Sequence, residues 1–441
     1  MKPGISTLIA AGRPQEAGID LRAGSVLATA ITKNIVGAAV FALSSTMTSS
    51  GTGLIPGIAI VVILGVVSAM SFALLGASSA DHLYGGLSTE DLWRETVGHF
   101  AGAIGLVISF HACGACVQYT STMAELLGPT VARMLPRPAR IACMGALLLP
   151  LCLADDLTGL QHSSLLGLVG VIYSVAFVCF RAIDGSYRPG GRWYGLPTIG
   201  GIGAAGMDPD ITAAVPLLGA GWGTFGFIGA LNTAYFAHLN VPAYWQAWRK
   251  LRATSAGGEA ASRRGFQAVI FSSFALVGAL YVLVLVAGSH TFGASSGSSL
   301  TLLRYAADDP GASLMRLATL VSIFGGYPLI FQAVKDVLCA RCLPPAAPPA
   351  ARKGVGLGLL IVLTAAAVGV ENVAKFIALR GALFGSLLVY TMPAAIGLAA
   401  SRKSQTRDPR PLLTLQEGAL VALGLYGLVS SAAGTMAVLR S

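Results

Sequence analysis

The sequence predicts an all-α polytopic membrane protein of eleven transmembrane helices, arranged as a five-plus-five inverted repeat plus one peripheral helix. Three observations predict it. The 441 residues are 54% hydrophobic and only 11% charged, whereas a soluble domain carries about 25% charged residues. Eleven apolar runs reach or approach the roughly 20 residues that a spanning helix needs. The first and sixth runs, which open each set of five, are interrupted by small and polar residues. Such a composition excludes a soluble enzyme, a disordered chain, a coiled coil and a disulfide scaffold.

The runs lie at 25–49, 54–80, 99–132, 139–154, 159–181, 214–239, 265–289, 312–338, 354–371, 374–400 and 415–439, the fourth being the shortest. Residues 1–24 read as a cytoplasmic tail. The stretch Ile5–Ala11 is too short for a secretory signal, and Pro3 and Pro14 flank it. Residues 25–400 form the ten-helix core, from repeats 25–181 and 214–400, and 401–441 supply a loop and the eleventh helix.

The net charge of +10 would suit nucleic acid on a soluble protein, but here the basic residues flank apolar runs. With the N-terminus inside, 17 Lys/Arg fall on the inner side and 11 on the outer, Arg380 among the latter. Only Lys33 has no loop, tail or span end to sit in. The pattern sets orientation in a lipid bilayer, and no nucleic-acid partner is expected. Five of the seven cysteines lie inside apolar runs, where they act as small hydrophobes. Cys339 and Cys342 form a CxxC at a span end, a weak redox signal. No zinc-ligand spacing and no nucleophile–base set occurs, so no metal, catalytic residue or cofactor is expected. Asp155/Asp156 and Asp308/Asp309 read as solvated loop carboxylates, the second pair just before a helix start at Pro310.

The first run contains Thr32-Lys33-Asn34-Ile35-Val36-Gly37-Ala38-Ala39, and then a Ser/Thr-rich stretch to Ser50. The sixth has Gly221, Gly223, Gly226 and Gly229 within nine residues. Each glycine weakens a helix by about 1 kcal/mol relative to alanine, so the sixth run is expected to break there. Small residues also let helices pack closely, and this is the competing explanation. A broken helix leaves backbone N–H and C=O groups free, and in hydrocarbon these must line a cavity or bind something. Helix N-termini suit a carboxylate, and free carbonyls suit an ammonium. Two opposed breaks therefore fit an α-amino acid.

Several stretches together resemble the amino acid/auxin permease family of the amino acid–polyamine–organocation superfamily. The sixth run continues as Tyr235-Phe236-Ala237-His238-Leu239-Asn240-Val241-Pro242-Ala243-Tyr244, similar to that family's His-x-Asn…Pro…Tyr pattern. Lys33 to Gly37 resembles its first-helix motif, and Gly288 to Gly293 its Gly-Tyr-x-Thr-Phe-Gly. Tyr327-Pro328 with Lys335-Asp336 is similar to Tyr-Pro…Arg-Asp, and Tyr119 with Glu125-Leu126-Leu127 to Tyr…Asp-Leu-Leu. The resemblance implies a LeuT-like core and secondary transport of an amino acid. It places substrate at the breaks, against the third and eighth helices. Implied substrate contacts are Asn34, Val36, Gly37, Ala38, Ala39, Tyr119, Phe227, Asn232 and Ser322. Implied coupling or gating residues are Lys33, Glu125, His238, Tyr327 and Ser164.

Three departures matter. Ala39 stands where the family has a second glycine. Sodium-coupled members are similar to one another in an Asn at the Lys33 position and a Thr at the Gly326 position. A fixed ammonium repels Na⁺ and glycine offers no ligand, so the proton, or uniport, is favoured over sodium. Glu125 replaces an Asp. Lys33 reads as a cation at the vacant sodium site or as a snorkelling lysine. His111 reads as a packing histidine more readily than as a proton relay. A sodium symporter and an amino acid sensor with little flux are the rivals. The protein is expected to be a monomer in the plasma membrane or an endomembrane (vacuolar or lysosomal).

Overall fold

The computed structural model describes residues 18–82, 88–127, 131, 134–154, 161–196, 198, 214–252, 259–293, 300–344, 346–405 and 414–440. These contain no strand, only an isolated antiparallel bridge between Thr198 and Ala306. The helices are α1 (Gly18–Ile35), a 3₁₀ turn (Ala38–Ala42) and α2 (Leu43–Ser49), then α3 (Leu54–His82), α4 (Thr89–Thr96), α5 (Ala101–Leu126), α6 (Arg137–Leu153) and α7 (Gln161–Asp184). The second half has α8 (Thr224–Ala234), a 3₁₀ turn (His238–Asn240), α9 (Val241–Leu251), α10 (Glu259–Phe292), α11 (Pro310–Cys342) and α12 (Pro349–Val368). Then come α13 (Val373–Arg380), π-helical turns at Gly381–Gly385 and Leu387–Thr391, α14 (Met392–Gln405) and α15 (Leu415–Arg440).

Among the described residues, eight helical segments are long and apolar enough to cross a membrane. A ninth candidate is the pair on either side of Val36-Gly37, bent by 45°. The fourth and sixth apolar runs fall short of that length. The helix α6 has 17 residues, and α8 and α9 have 11 each. Val62, Ile63, Val66 and Met70 of α3 are more than half exposed, as are Leu425 and Val429 of α15. Large aliphatic side chains clustered on the outer faces of long apolar helices fit contact with lipid.

Helix ends are set by local chemistry. Ser88 and Asp91 form a reciprocal capping box on α4. Asn372 accepts the Lys375 amide at the start of α13. Asp309 caps α11 through the Gly311 amide, with Pro310 at the first helical position. Asp309 also corrects the reading of that pair as solvated. It is fully buried, accepting from Arg181 at 2.8 Å and from Tyr187 at 2.9 Å. Those partners lie more than a hundred residues away in sequence, and the charge stays buried because it is paired and hydrogen-bonded. Arg316, beside it, donates to the carbonyls of Leu302, Tyr305 and Ala306.

Among the long helices, α11 packs along α7 and α5, and α10 along α3. The short helix α8 packs on α13 and α15, whereas α9 packs on α3 and α1. Glycine makes the first of these contacts possible. A Cβ at Gly229 would stand 2.5 Å from the Ala378 carbonyl oxygen, and one at Gly381 would overlap the Gly229 carbonyl. The π-helical turns bring Gly381 and Gly385 against α8 at that point. Gly381→Ala is expected to destabilise the protein by roughly 1–3 kcal/mol through overpacking. Gly358→Ala, on the exposed face of α12 with nothing within 4 Å, is expected to have no such cost. Thermal melting of the two variants in detergent checks the pair; equal melting would remove close packing as the role of Gly381.

Candidate functional site

The first break is where the sequence places it. The helix α1 stops at Ile35, and Gly37 is extended, at φ −115° and ψ −167°. The 3₁₀ turn that follows starts at Ala38, so its first amides have no helical partner. The Tyr119 hydroxyl of α5 stands 3.6 Å from where a Gly37 Cβ would lie. Val36, Ala38 and Ala39 are buried, and Asn34 is exposed.

The second break is not at the glycines. Gly226 and Gly229 lie inside α8, and the helix ends at Ala234. Tyr235, Phe236 and Ala237 form the non-helical link, and Ala237 has φ −148° and ψ 5°. Pro242 near the start of α9 cannot donate backward, so a new helix must start there. Asn232 therefore lies before the break, within α8. It is fully buried, accepts from the Tyr390 hydroxyl at 3.1 Å and donates to Ser430 at 3.3 Å. These partners belong to the π-helical turn and to α15. Phe227 is likewise fully buried, whereas Trp222 is 47% exposed.

One side chain joins the two breaks. The Tyr281 hydroxyl of α10 is 2.7 Å from the Ala234 carbonyl and 3.1 Å from the Ile35 carbonyl. In an unbroken helix each carbonyl would accept an amide four residues on. Tyr281 replaces those amides with one O–H, and it is itself fully buried. Nothing in the sequence reading singled it out; a lone tyrosine in a long apolar run carries no pattern.

His238 lies just past the second break and is fully buried. Its Nε2 is 2.8 Å from Ser71 Oγ and 3.2 Å from the Ser68 carbonyl of α3. A carbonyl only accepts, so Nε2 carries the proton. Ser68 Oγ in turn lies 3.2 Å from the Tyr390 hydroxyl. A buried polar chain thus runs from His238 to Asn232 behind the break.

Lys33 and Ser322 meet at Gly167 of α7. A Cβ there would lie 3.2 Å from Lys33 Nζ and 2.8 Å from Ser322 Oγ. No carboxylate among the described residues pairs with Lys33. A Cβ on Gly326 would meet nothing within 4 Å. The Ser164 side chain lies outside the described residues. Tyr327 is fully buried beside Cys116 and Thr120 of α5. Glu125 is at the end of α5, 3.5 Å from Arg137, which also donates to the Val368 carbonyl at the end of α12. Its geometry is that of a clasp between helix ends.

A model of the family described as transmembrane amino acid transporter protein matches residues 23–437. The chain belongs to this family. The match agrees with the amino acid/auxin permease resemblance. No curated protein matches. Among solved structures, the inward-facing conformation of Mhp1 superposes with a TM-score of 0.59 at 12% identity, covering 95% of this chain and 88% of that one. A variant of the Eremococcus coleocola manganese transporter superposes with a TM-score of 0.51 at 12% identity, covering 98% of each chain. These likenesses establish the fold, a membrane transporter fold of the Mhp1 kind. Likeness to the manganese protein goes no further; among the described residues no three His, Cys, Asp or Glu side chains gather. This family member is a transport protein and not an enzyme.

Arg380 corrects the charge count. Counted by sequence among the outer-side charges of loops and span ends, it is buried, only 7% exposed, at the end of α13. It contacts α5 halfway along that helix, where a Cβ on Gly114 would lie 2.7 Å from Arg380 Cδ. Counting charges at run ends cannot distinguish a loop from the first two turns of a buried helix.

Tyr281→Phe keeps the ring packing and removes the one donor shared by the two breaks. It is expected to lower amino acid uptake by about tenfold, the equivalent of one lost buried hydrogen bond, with expression unchanged. Uptake at the wild-type rate would remove the hydroxyl from the working site.

Proposed function

We propose that this chain moves amino acids across a membrane by alternating access, driven by a proton gradient. In this reading there are eleven spans. Two are broken, α1 with α2 and α8 with α9, and α13 runs on into α14. The ten spans from α1 to α14 form two inverted repeats, and α15 is peripheral. The observation that carries the reading is the Tyr281 bridge. It brings the carbonyl ends of two half-helices to one hydroxyl, next to Tyr119 and the open amides after Gly37. A zwitterion presents an ammonium to such carbonyls and a carboxylate to such amides. A single O–H cannot fully serve two carbonyls, so acceptor capacity remains for the substrate.

Proton coupling is supported by Lys33. Its ammonium lies between α7 and α11 beside Ser322, and glycine at 326 supplies no hydroxyl. An amine there binds and releases a proton as the site opens to each side, and its positive form excludes Na⁺. The membrane is the plasma membrane or an endomembrane.

Proteoliposome uptake of labelled amino acids tests this, with pH and Na⁺ gradients imposed separately. Acidifying the side from which substrate enters is expected to stimulate uptake, and a Na⁺ gradient alone to do nothing. Lys33→Asn is expected to abolish the response to ΔpH while sparing substrate exchange. Uptake that requires Na⁺ and ignores ΔpH would sink proton coupling. Binding without flux would make the protein a sensor.

A further inference from the structure

Arg380 is a buried cation with no counter-ion among the described residues. Its Nη2 donates to Gln118 Oε1 at 2.6 Å, and its Nη1 to His111 Nε2 at 3.1 Å and the His111 carbonyl at 3.4 Å. These partners are neutral acceptors, all on α5, and among the described residues no carboxylate pairs with the guanidinium. Arginine only donates, so His111 Nε2 must accept, and the ring proton is on Nδ1. That Nδ1 has no partner, and neither has Arg380 Nε. Two buried N–H donors are therefore unanswered, in a cluster whose fixed charge is also unanswered. A native interior seldom tolerates either.

The cluster borders the candidate site. Phe236, in the middle of the second break, lies against His111 with ring centroids 4.1 Å apart. Tyr119, which reaches Gly37 at the first break, is within electrostatic range of Arg380. Gly114 leaves the space that the arginine stem fills.

We infer that the Arg380–His111–Gln118 cluster receives a substrate carboxylate, and that the substrates are amino acids with an acidic side chain. The inference rests on the amino acid transport reading and narrows its substrate class. The open amides after Gly37 take the α-carboxylate, so the guanidinium is left for a second one. A side-chain carboxylate supplies the missing charge and acceptors for the free N–H groups. A side-chain amide supplies no charge.

Thermal stabilisation of the purified full-length protein by aspartate, glutamate, asparagine and glutamine tests this, together with competition by each in proteoliposome uptake. The acids are expected to bind roughly ten- to a hundredfold better than their amides, as for hydrogen bonds to a charged group. Arg380→Gln is expected to bring that ratio near one. Arg380→Lys keeps the charge but not the planar fork, and is expected to keep a reduced preference for the acids at lower affinity. A purely structural arginine would change stability in both variants and leave the ratio alone. Equal binding of acids and amides by the wild type overturns the inference, as does a preference that survives Arg380→Gln. Should Arg380→Gln not fold, a lower acid-to-amide ratio in a folded Arg380→Lys supports the inference, and an unchanged ratio overturns it. If no amino acid is taken up, the transport reading falls, and the binding ratio by itself still decides for or against Arg380.

Discussion

Backbone polarity at membrane depth is the constraint on which this structure depends. Every N–H and C=O must find a partner there, because lipid offers none. Two helices are nevertheless interrupted, after Ile35 and after Ala234. Both interruptions are held by the same phenolic hydroxyl, that of Tyr281, closer to Ala234 than to Ile35. One proton shared between two acceptors is enough to hold both ends in place and too little to satisfy both. The geometry keeps the breaks intact while leaving them polar.

The rest of the fold sorts itself around the second break. The half-helix α8 is fixed to α13 at the glycine contact, and through Asn232 to Tyr390 and Ser430. The half-helix α9 belongs with α1 and α3. Tyr244 donates to the Ala30 carbonyl, and His238 is tied to Ser68 and Ser71. Tyr235 to Ala237 is thus the joint between two packed groups. A change of about one rotamer or one hydrogen bond at this link moves whole helices, because packed interiors shift between discrete arrangements rather than deform continuously.

What the sequence made legible follows from the solvent. Lipid demands an apolar surface all round, so long helices such as α3, α10 and α15 stand out as unbroken apolar runs. The first break was legible because Gly37 lies in it. The second was misplaced because glycine has two uses. At Gly229 it admits the backbone of α13, and the true break uses Tyr235, Phe236 and Ala237, which carry no breaking signal. Only Pro242, several residues on, marks that no helix runs through. Asp309 and Arg380 were misjudged for a shared reason. Whether a charge is solvated depends on partners far off in sequence, Arg181 in one case and α5 in the other. Tyr281 had no sequence signal at all.

The distribution of buried charge then separates scaffold from site. Asp309 with Arg181 is an ion pair completed by Tyr187 and a backbone amide, and Glu125 is paired with Arg137. Both are closed arrangements, with their charge answered inside the protein. Lys33 and Arg380 are the opposite. Each lies in the last turn of its helix, among neutral side chains of neighbouring helices, with no carboxylate partner among the described residues. Burying a cation such as Arg380 costs several kcal/mol, and a fold that needed only stability would replace it with a hydrocarbon. That both stand beside the broken helices, where polar backbone is already exposed, fits charges whose partners arrive and leave: a proton at one, an anion at the other.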